Sequence, residues 1–240
     1  MVQPKPFTSV WTRERKGRRE QGLSREQIVK AALELLDAEG LDALSMRKLG
    51  ARLGAGATSL YWYVATKDEL LELVMDEVYA MVTVPEDVDW REAARVFSYG
   101  LRGAVLGHPW SATLVGVVPA LGPNALTAAD RLMGAFIRAG FDGIDVDYAM
   151  TAVVSYTLGS TIPEVAWTSA VAASGTDVSR LQAEVGSVVM ELSADRPNLR
   201  ERYAAYAGKK LDPLVARRLA FEFGLSALLD GLTTRITRGR

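Results

Sequence analysis

Apolar residues recur along this chain at intervals of three and four, with no run of the strict alternation that marks a half-buried strand, so the pattern predicts helices joined by short breaks. The first helix is the best marked. Ser24-Arg25-Glu26-Gln27 is a capping box, in which the serine oxygen accepts from the backbone N–H three residues on and the glutamine side chain reaches back. Ile28, Ala32 and Leu35, flanked by Val29, Leu33 and Leu36, then form one broad apolar face up to Gly40, a residue suited to a left-handed stop. Ser45 caps a second, shorter helix marked by Met46, Leu49 and Leu53, and Gly54-Ala55-Gly56 ends it. A third short helix is predicted over about 57–64, with Ala57, Leu60 and Val64 on one side and Thr58, Ser59, Tyr61 and Tyr63 on the others. Thr66-Lys67-Asp68-Glu69 is another capping box, and Leu70, Val74, Val78 and Met81 carry the inner line of the helix it opens.

Val84-Pro85-Glu86-Asp87 interrupts the periodicity and sets a domain boundary. Beyond it the pattern predicts helices over about 90–107, stopped by His108-Pro109, then 111–118, and 123–139, terminated by Gly140. Another runs from Asp145 past Leu158 to a kink or break at Pro163, and two more span about 176–193 and 213–236, the last opened by Asp212-Pro213. In that last helix Leu219, Phe221, Phe223, Leu225, Leu228, Leu229 and Leu232 cover more than one side. So wide an apolar surface belongs at the centre of a core or against a partner. The organisation expected is a basic arm over 1–23, a first helical domain over 24–82 and a larger one over 85–238.

Charge divides the chain in the same place. Residues 1–67 hold 12 Lys+Arg against 7 Asp+Glu, a balance of +5 inside a chain whose net charge is −1, so the remainder carries −6. A basic first quarter on an acidic body points to a polyanion as partner for the first part, a solvated basic tail being the other reading. The two short helices joined by a Gly-containing turn, about 45–64, form a helix-turn-helix pattern whose second helix has a polar and aromatic outer face. Placed in a major groove, Thr58 and Ser59 reach base edges or phosphates, while Tyr61, Tyr63 and Lys67 lie along the phosphate walls. Arg47 and Lys48 stand at the start of the preceding helix, near backbone N–H groups suited to phosphate. The arm, with Arg13, Arg15, Lys16, Arg18 and Arg19, is placed to reach neighbouring phosphates or a minor groove.

Residues 24–71 resemble the DNA-binding domain of the tetracycline-repressor (TetR) family. The resemblance is carried by Leu44-Ser45-Met46-Arg47-Lys48-Leu49-Gly50-Ala51-Arg52-Leu53-Gly54 and by Ser59-Leu60-Tyr61-Trp62-Tyr63-Val64-Ala65-Thr66-Lys67-Asp68-Glu69-Leu70-Leu71. The body is similar to that family's tetracycline-repressor-type C-terminal domain at Leu106-Gly107-His108-Pro109-Trp110, Leu121-Gly122-Pro123-Asn124-Ala125-Leu126 and Phe221-Glu222-Phe223-Gly224-Leu225. It implies an all-α protein: an N-terminal three-helix helix-turn-helix DNA-binding domain, then a larger C-terminal helical domain for ligand binding and dimerisation. It further implies a cytoplasmic homodimer joined through C-terminal helices, a double-stranded DNA operator as partner, and a repressor released by a small-molecule effector. Carried over by position, the DNA contacts are Arg47, Lys48, Ala57, Thr58, Ser59, Tyr61, Tyr63 and Lys67. Ala57 stands where the tetracycline repressor has a base-reading Gln, and Tyr63 at a His, so a different operator is expected.

In the body, the resemblance puts Val115 at the position of a magnesium-chelating His and Phe97 at a drug-gripping Asn, which argues against metal-chelate recognition. Phe97, Leu101, Trp110, Met133 and Phe136 instead outline an apolar, aromatic pocket, with His108 and Val115 beside it; ordinary core packing is the competing reading. His108, the sole histidine, also suits capping of the last carbonyls of its helix. Trp62 points from the third helix, either to DNA or beneath the helix. Asp142, Asp145 and Asp147 fail the calcium-loop pattern and are expected as helix caps.

Composition closes off other chemistry. With 0 Cys and 1 His, disulfides, thiolate nucleophiles and Cys- or multi-His metal sites are excluded. No Ser-His-Asp or phosphate-loop constellation is present, no cofactor is expected, and the N-terminus lacks the apolar run of a signal peptide. The other classes left open are a helical small-molecule binder or enzyme with a vestigial head, and a DNA binder without ligand control.

Overall fold

A computed structural model describes residues 9–12, 23–175, 177–206 and 212–238. Among them every regular element is helical: α1 (Arg25–Glu39), α2 (Met46–Arg52), α3 (Ala57–Leu60), α4 (Lys67–Tyr79), α5 (Trp90–Gly107), α6 (Pro123–Ala139), α7 (Ile144–Ser174), α8 (Val178–Leu192), α9 (Pro197–Tyr206) and α10 (Pro213–Arg238), with short 3₁₀ turns at Leu41–Ala43 and Pro109–Thr113. The predicted caps form. Ser24 Oγ accepts from Gln27 N at 3.1 Å while Ser24 N donates to Gln27 Oε1 at 2.8 Å, a complete box. Thr66 Oγ1 accepts from Glu69 N at 3.0 Å, but there the Glu69 carboxylate reaches back one residue further, to Ala65 N at 2.9 Å.

Two cores form. In the first, Ile28, Ala32, Leu35 and Leu36 of α1 meet Leu49 of α2, Leu60 of α3 and Leu70, Val74 and Val78 of α4. In the second, Phe97 and Leu101 of α5 pack with Leu132 and Phe136 of α6, Val146, Ala149 and Val153 of α7, and Phe221, Leu225 and Leu229 of α10. The boundary between them is crossed by side chains from both sides. Ala104, Trp110 and Leu114 belong to the first core although they follow the α4–α5 break, and Tyr79 packs against both. On α4, Asp76 accepts from Ala125 N at 3.0 Å and Asn124 N at 3.2 Å, capping the start of α6. Gly122 is needed for that approach, since a Cβ there would overlap the Asp76 carboxylate.

The structure departs from the sequence pattern in several places. Pro163 lies inside an unbroken α7, because burial of Val153, Thr157, Thr161, Glu164 and Val165 along one line outweighs the roughly 3 kcal/mol a proline costs a helix interior. Over 111–118 there is no α-helix; the 3₁₀ turn stops at Thr113 and Gly116 takes φ +77°, which reverses the chain. α3 ends at Leu60, its helical turns being continued to Val64 by bonds such as Val64 N to Leu60 O at 3.0 Å and Tyr63 N to Leu60 O at 2.9 Å. α9 has no counterpart in the sequence pattern, since its Asn198, Arg200, Glu201 and Arg202 leave no apolar stripe to read. Gly143, not an aspartate, occupies the α7 N-cap; Asp142 Oδ1 accepts from Gly143 N at 2.8 Å and Asp145 and Asp147 sit in the first turn, where negative charge suits the helix dipole. Among the described residues no group of His, Asp or Glu is placed to hold a metal ion.

The expected arm is also redrawn. Ser9–Thr12 pack onto the first core: Val10 is buried, Ser9 Oγ donates to Glu72 Oε2 of α4, and Val10 N donates to the same oxygen at 3.2 Å. Trp11 packs there too, beneath the Arg25 guanidinium at 5.9 Å. Arg13, Arg15, Lys16, Arg18 and Arg19 lie outside the described residues.

Candidate nucleic-acid interface

The helix-turn-helix is held by a backbone approach that a side chain would block. Gly50 of α2 faces the turn before α3 so closely that a Cβ on it would meet Ala55 O at 2.6 Å, and Ala55 N donates to Gly50 O at 2.9 Å. Leu49, Leu60 and Val64 are fully buried on the inner side. That leaves Arg47, Lys48, Thr58, Ser59, Tyr61 and Trp62 exposed on the outer side, with Ala57, Tyr63 and Lys67 half-buried. The eight residues expected at DNA therefore lie on α2, on α3 and the turns that follow it, and at the start of α4. Trp62 is 58% exposed and Tyr61 48%, so the indole stands outward instead of packing beneath the helix.

Electrostatically the face is basic but partly self-paired. Ser45 Oγ caps α2 by accepting from Lys48 N at 3.2 Å, and the Lys48 ammonium pairs with Glu39 at the end of α1. Arg52 pairs with Glu34 at 3.4 Å. Both pairs are open to solvent and worth at most about 1 kcal/mol each, so a phosphate can displace the carboxylate. At the far edge Glu69 Oε2 takes Ala65 N at 2.9 Å, fixing the chain where it enters α4 and placing Lys67 in the first turn.

The body residues expected at ligand fall elsewhere. Phe97, Leu101 and Phe136 are buried in the second core, with Phe136 edge-on to Phe141 at 5.2 Å, and Met133 packs beside them. Val115 is half-buried after the 3₁₀ turn. His108 and Trp110 turn to the first core: Trp110 Nε1 donates to Asp37 Oδ1 at 2.8 Å, and His108 Nδ1 lies 2.7 Å from the same oxygen. The His108 side chain is thus a bond from body to head, while its backbone N–H caps α5 by donating to Ala104 O at 3.0 Å. A cavity of about 440 Å³ lies on the other face of α5, lined by Met81, Thr83, Glu92, Arg95, Val96, Tyr99 and Gly100, and none of the seven expected residues borders it. Its Tyr99 ring stacks edge-on to Phe221 at 5.3 Å, and Arg102 lies over the same Phe221 ring at 5.1 Å while bonding Glu164 at 2.7 Å.

Residues 28–74 match the family model described as bacterial regulatory proteins, tetR family, and residues 84–236 match the one described as tetracyclin repressor-like, C-terminal domain. The chain belongs to the tetR family of bacterial transcriptional regulators. An HTH-type transcriptional regulator of Saccharopolyspora erythraea is 44% identical over 162 residues, 66% of this chain and 69% of that one. The HTH-type transcriptional repressor DrrR1 of Streptomyces coeruleorubidus is 30% identical over 222 residues, 91% of this chain and 80% of that one. Among solved structures, the Streptomyces coelicolor TetR family protein ActR in complex with actinorhodin matches with a TM-score of 0.74 at 29% identity, over 90% of this chain and 99% of that one. No described helix of this regulator is long and apolar enough to cross a membrane.

Proposed function

We propose that this tetR-family regulator is a cytoplasmic homodimeric repressor that reads a palindromic operator through Arg47, Lys48, Ala57, Thr58, Ser59, Tyr61, Tyr63 and Lys67. The observation that carries it is the exposed polar and aromatic rim from Thr58 to Trp62 above a fully buried Leu60 and Val64. That is the disposition a helix-turn-helix needs to present side chains to a major groove while its back face stays in the core. Dimerisation is supported by the uncovered apolar residues of α10 and α7. Val215, Leu219 and Phe223 follow one another at four-residue steps, Phe223 is 79% exposed, and Tyr148 of the adjoining α7 is exposed as well. Reading both halves of a palindrome requires the two recognition segments of the dimer to stand about 34–36 Å apart, one helical turn of DNA.

A small effector would be held at the open cleft beside Tyr99, where Met81, Val96 and Tyr99 offer apolar surface next to the charged Glu92 and Arg95. An effector that favours another head spacing weakens operator binding by its coupling energy, typically about 1–3 kcal/mol, or roughly 5–150-fold. The burial of Phe97, Leu101 and Phe136 in the second core favours a second reading, a DNA binder without ligand control. Footprinting of the purified protein on the DNA upstream of its own gene, with and without a compound library, separates the two. A palindromic footprint lost with some compounds supports the first, an unresponsive footprint the second, and no footprint contradicts both.

A further inference from the structure

The segment joining α5 to α6 is gripped at both ends by carboxylates of the head. At its end, Asp76 of α4 holds the N–H groups of Asn124 and Ala125, and Asn124 Nδ2 donates back to Asp76 O at 3.2 Å. At its start, Asp37 of α1 holds Trp110 Nε1 and His108 Nδ1 through a single oxygen. The indole N–H can only donate and an ionised carboxylate can only accept, so the imidazole presents its Nδ1–H to Asp37. These bonds join residues 71 and 73 positions apart, and Trp110 and Leu114 follow them into the first core. The 3₁₀ turn they open packs in turn against α5 and α7 of the body. α1 packs against α2, and α2 against α3, so the direction of α1 sets the direction of the DNA-facing rim.

We infer that Asp37 is a positioning residue for operator reading: by holding Trp110 and His108 it fixes the angle between the recognition segment and the body. Asp76 holds the body through α4 and Asp37 holds it through α1, so the two carboxylates act from different helices, beside the apolar contacts of Ala104, Trp110 and Leu114, to fix how the head sits on the body. Asp37 touches no DNA in this scheme. The inference rests on the operator-binding reading only where affinity is concerned, and the angle can be measured without DNA.

The chain has 0 cysteines, so Lys30→Cys on α1 and Asp130→Cys on α6 accept a pair of spin labels at positions that reach solvent. Diluted with unlabelled protein, the pair reads a single intrachain head-to-body distance by pulsed electron paramagnetic resonance. The expected result is one narrow distribution for the parent, a broadened or shifted one for Asp37→Ala, and near-parent behaviour for Asp37→Asn, whose carbonyl still accepts both donors. Trp110→Phe keeps an aromatic side chain but loses the five-membered ring that carries the N–H donor, leaving His108 on Asp37, so it should broaden the distribution less than Asp37→Ala. It also carries the test if Asp37→Ala fails to fold. Affinity for the upstream DNA should fall about tenfold in Asp37→Ala, in keeping with loss of hydrogen bonds to a charged group. A parent-like distribution in both Asp37→Ala and Trp110→Phe would overturn the inference. Absence of DNA binding by the parent would strike the operator reading, with the distance measurement still deciding the joint.

Discussion

Glu72 and Asp76 stand one turn apart on α4, both buried, and hold different parts of the molecule: Glu72 binds Ser9 and Val10, while Asp76 binds the first residues of α6. α4 is therefore clamped between the segment that precedes the helix-turn-helix and the body that follows it. Each carboxylate also satisfies backbone N–H groups that burial would otherwise leave unpaired.

Removing the first clamp should cost stability without touching the DNA face. Glu72→Ala leaves Ser9 Oγ and Val10 N without an acceptor and should lower unfolding free energy by about 1–3 kcal/mol in urea titrations. Ser9→Ala removes one donor and should cost less. Equal stability of Glu72→Ala and the parent would show that Ser9–Thr12 contribute nothing to the head.

Gly50→Ala should injure DNA binding out of proportion to overall stability. The added methyl would meet a backbone oxygen, Ala55 O, that cannot rotate away, so α2 and α3 must part. Overpacking of this kind costs about 1–3 kcal/mol, and its strain falls on the turn that sets the two helices' relative direction. The check is affinity for the upstream DNA beside a thermal melt; unchanged affinity would mean that the turn tolerates the methyl.

Tyr79 links stability to alkaline pH. Burial first, and the neighbouring Asp76 charge second, hold its phenol above the ordinary value of 10.0. The folded protein therefore keeps its proton where the unfolded chain has lost it. Stability is fully present below the unfolded value and is lost as pH rises from there through the raised folded value. Tyr79→Phe should flatten that loss in denaturant titrations from about pH 9 upward. Parallel loss in both proteins would assign it to other groups.

Local chemistry is legible in the sequence, and tertiary partnership is not. The caps at Ser24 and Thr66 and the apolar line of α1 depend on neighbours within four residues, so one stretch of sequence contains the whole interaction. Pro163 misleads because its cost is local while the burial that outweighs it comes from distant helices. Phe97, Leu101 and Phe136 are buried in the second core, and an aromatic stripe looks the same in sequence whether it lines a space or fills one. His108 and Trp110 stand beside each other as a motif, yet their shared partner Asp37 lies on α1, with nothing in the intervening chain to announce it. Val10 and Trp11 are masked by the basic stretch around them, and two large apolar residues next to one another are the signal that marks their burial. The positions proposed to face DNA follow from residue type, spacing and family resemblance; Arg47, Lys48, Thr58, Ser59 and Tyr61, with Trp62 beside them, are exposed above the buried Leu60 and Val64.

Operator reading is assigned to the rim from Arg47 to Lys67. Fluorescence anisotropy of a labelled fragment from upstream of the gene, titrated with the parent, Tyr61→Ala and Lys67→Ala at several salt concentrations, tests it most directly. The parent should bind with an affinity that falls steeply with salt, because each neutralised phosphate releases counterions. Both variants should remain folded, keep the parent's oligomeric state and lose most or all of that binding, and Lys67→Ala should also lower the salt slope by nearly one for each phosphate no longer neutralised. Parent-like binding by both variants would contradict the assignment of this rim.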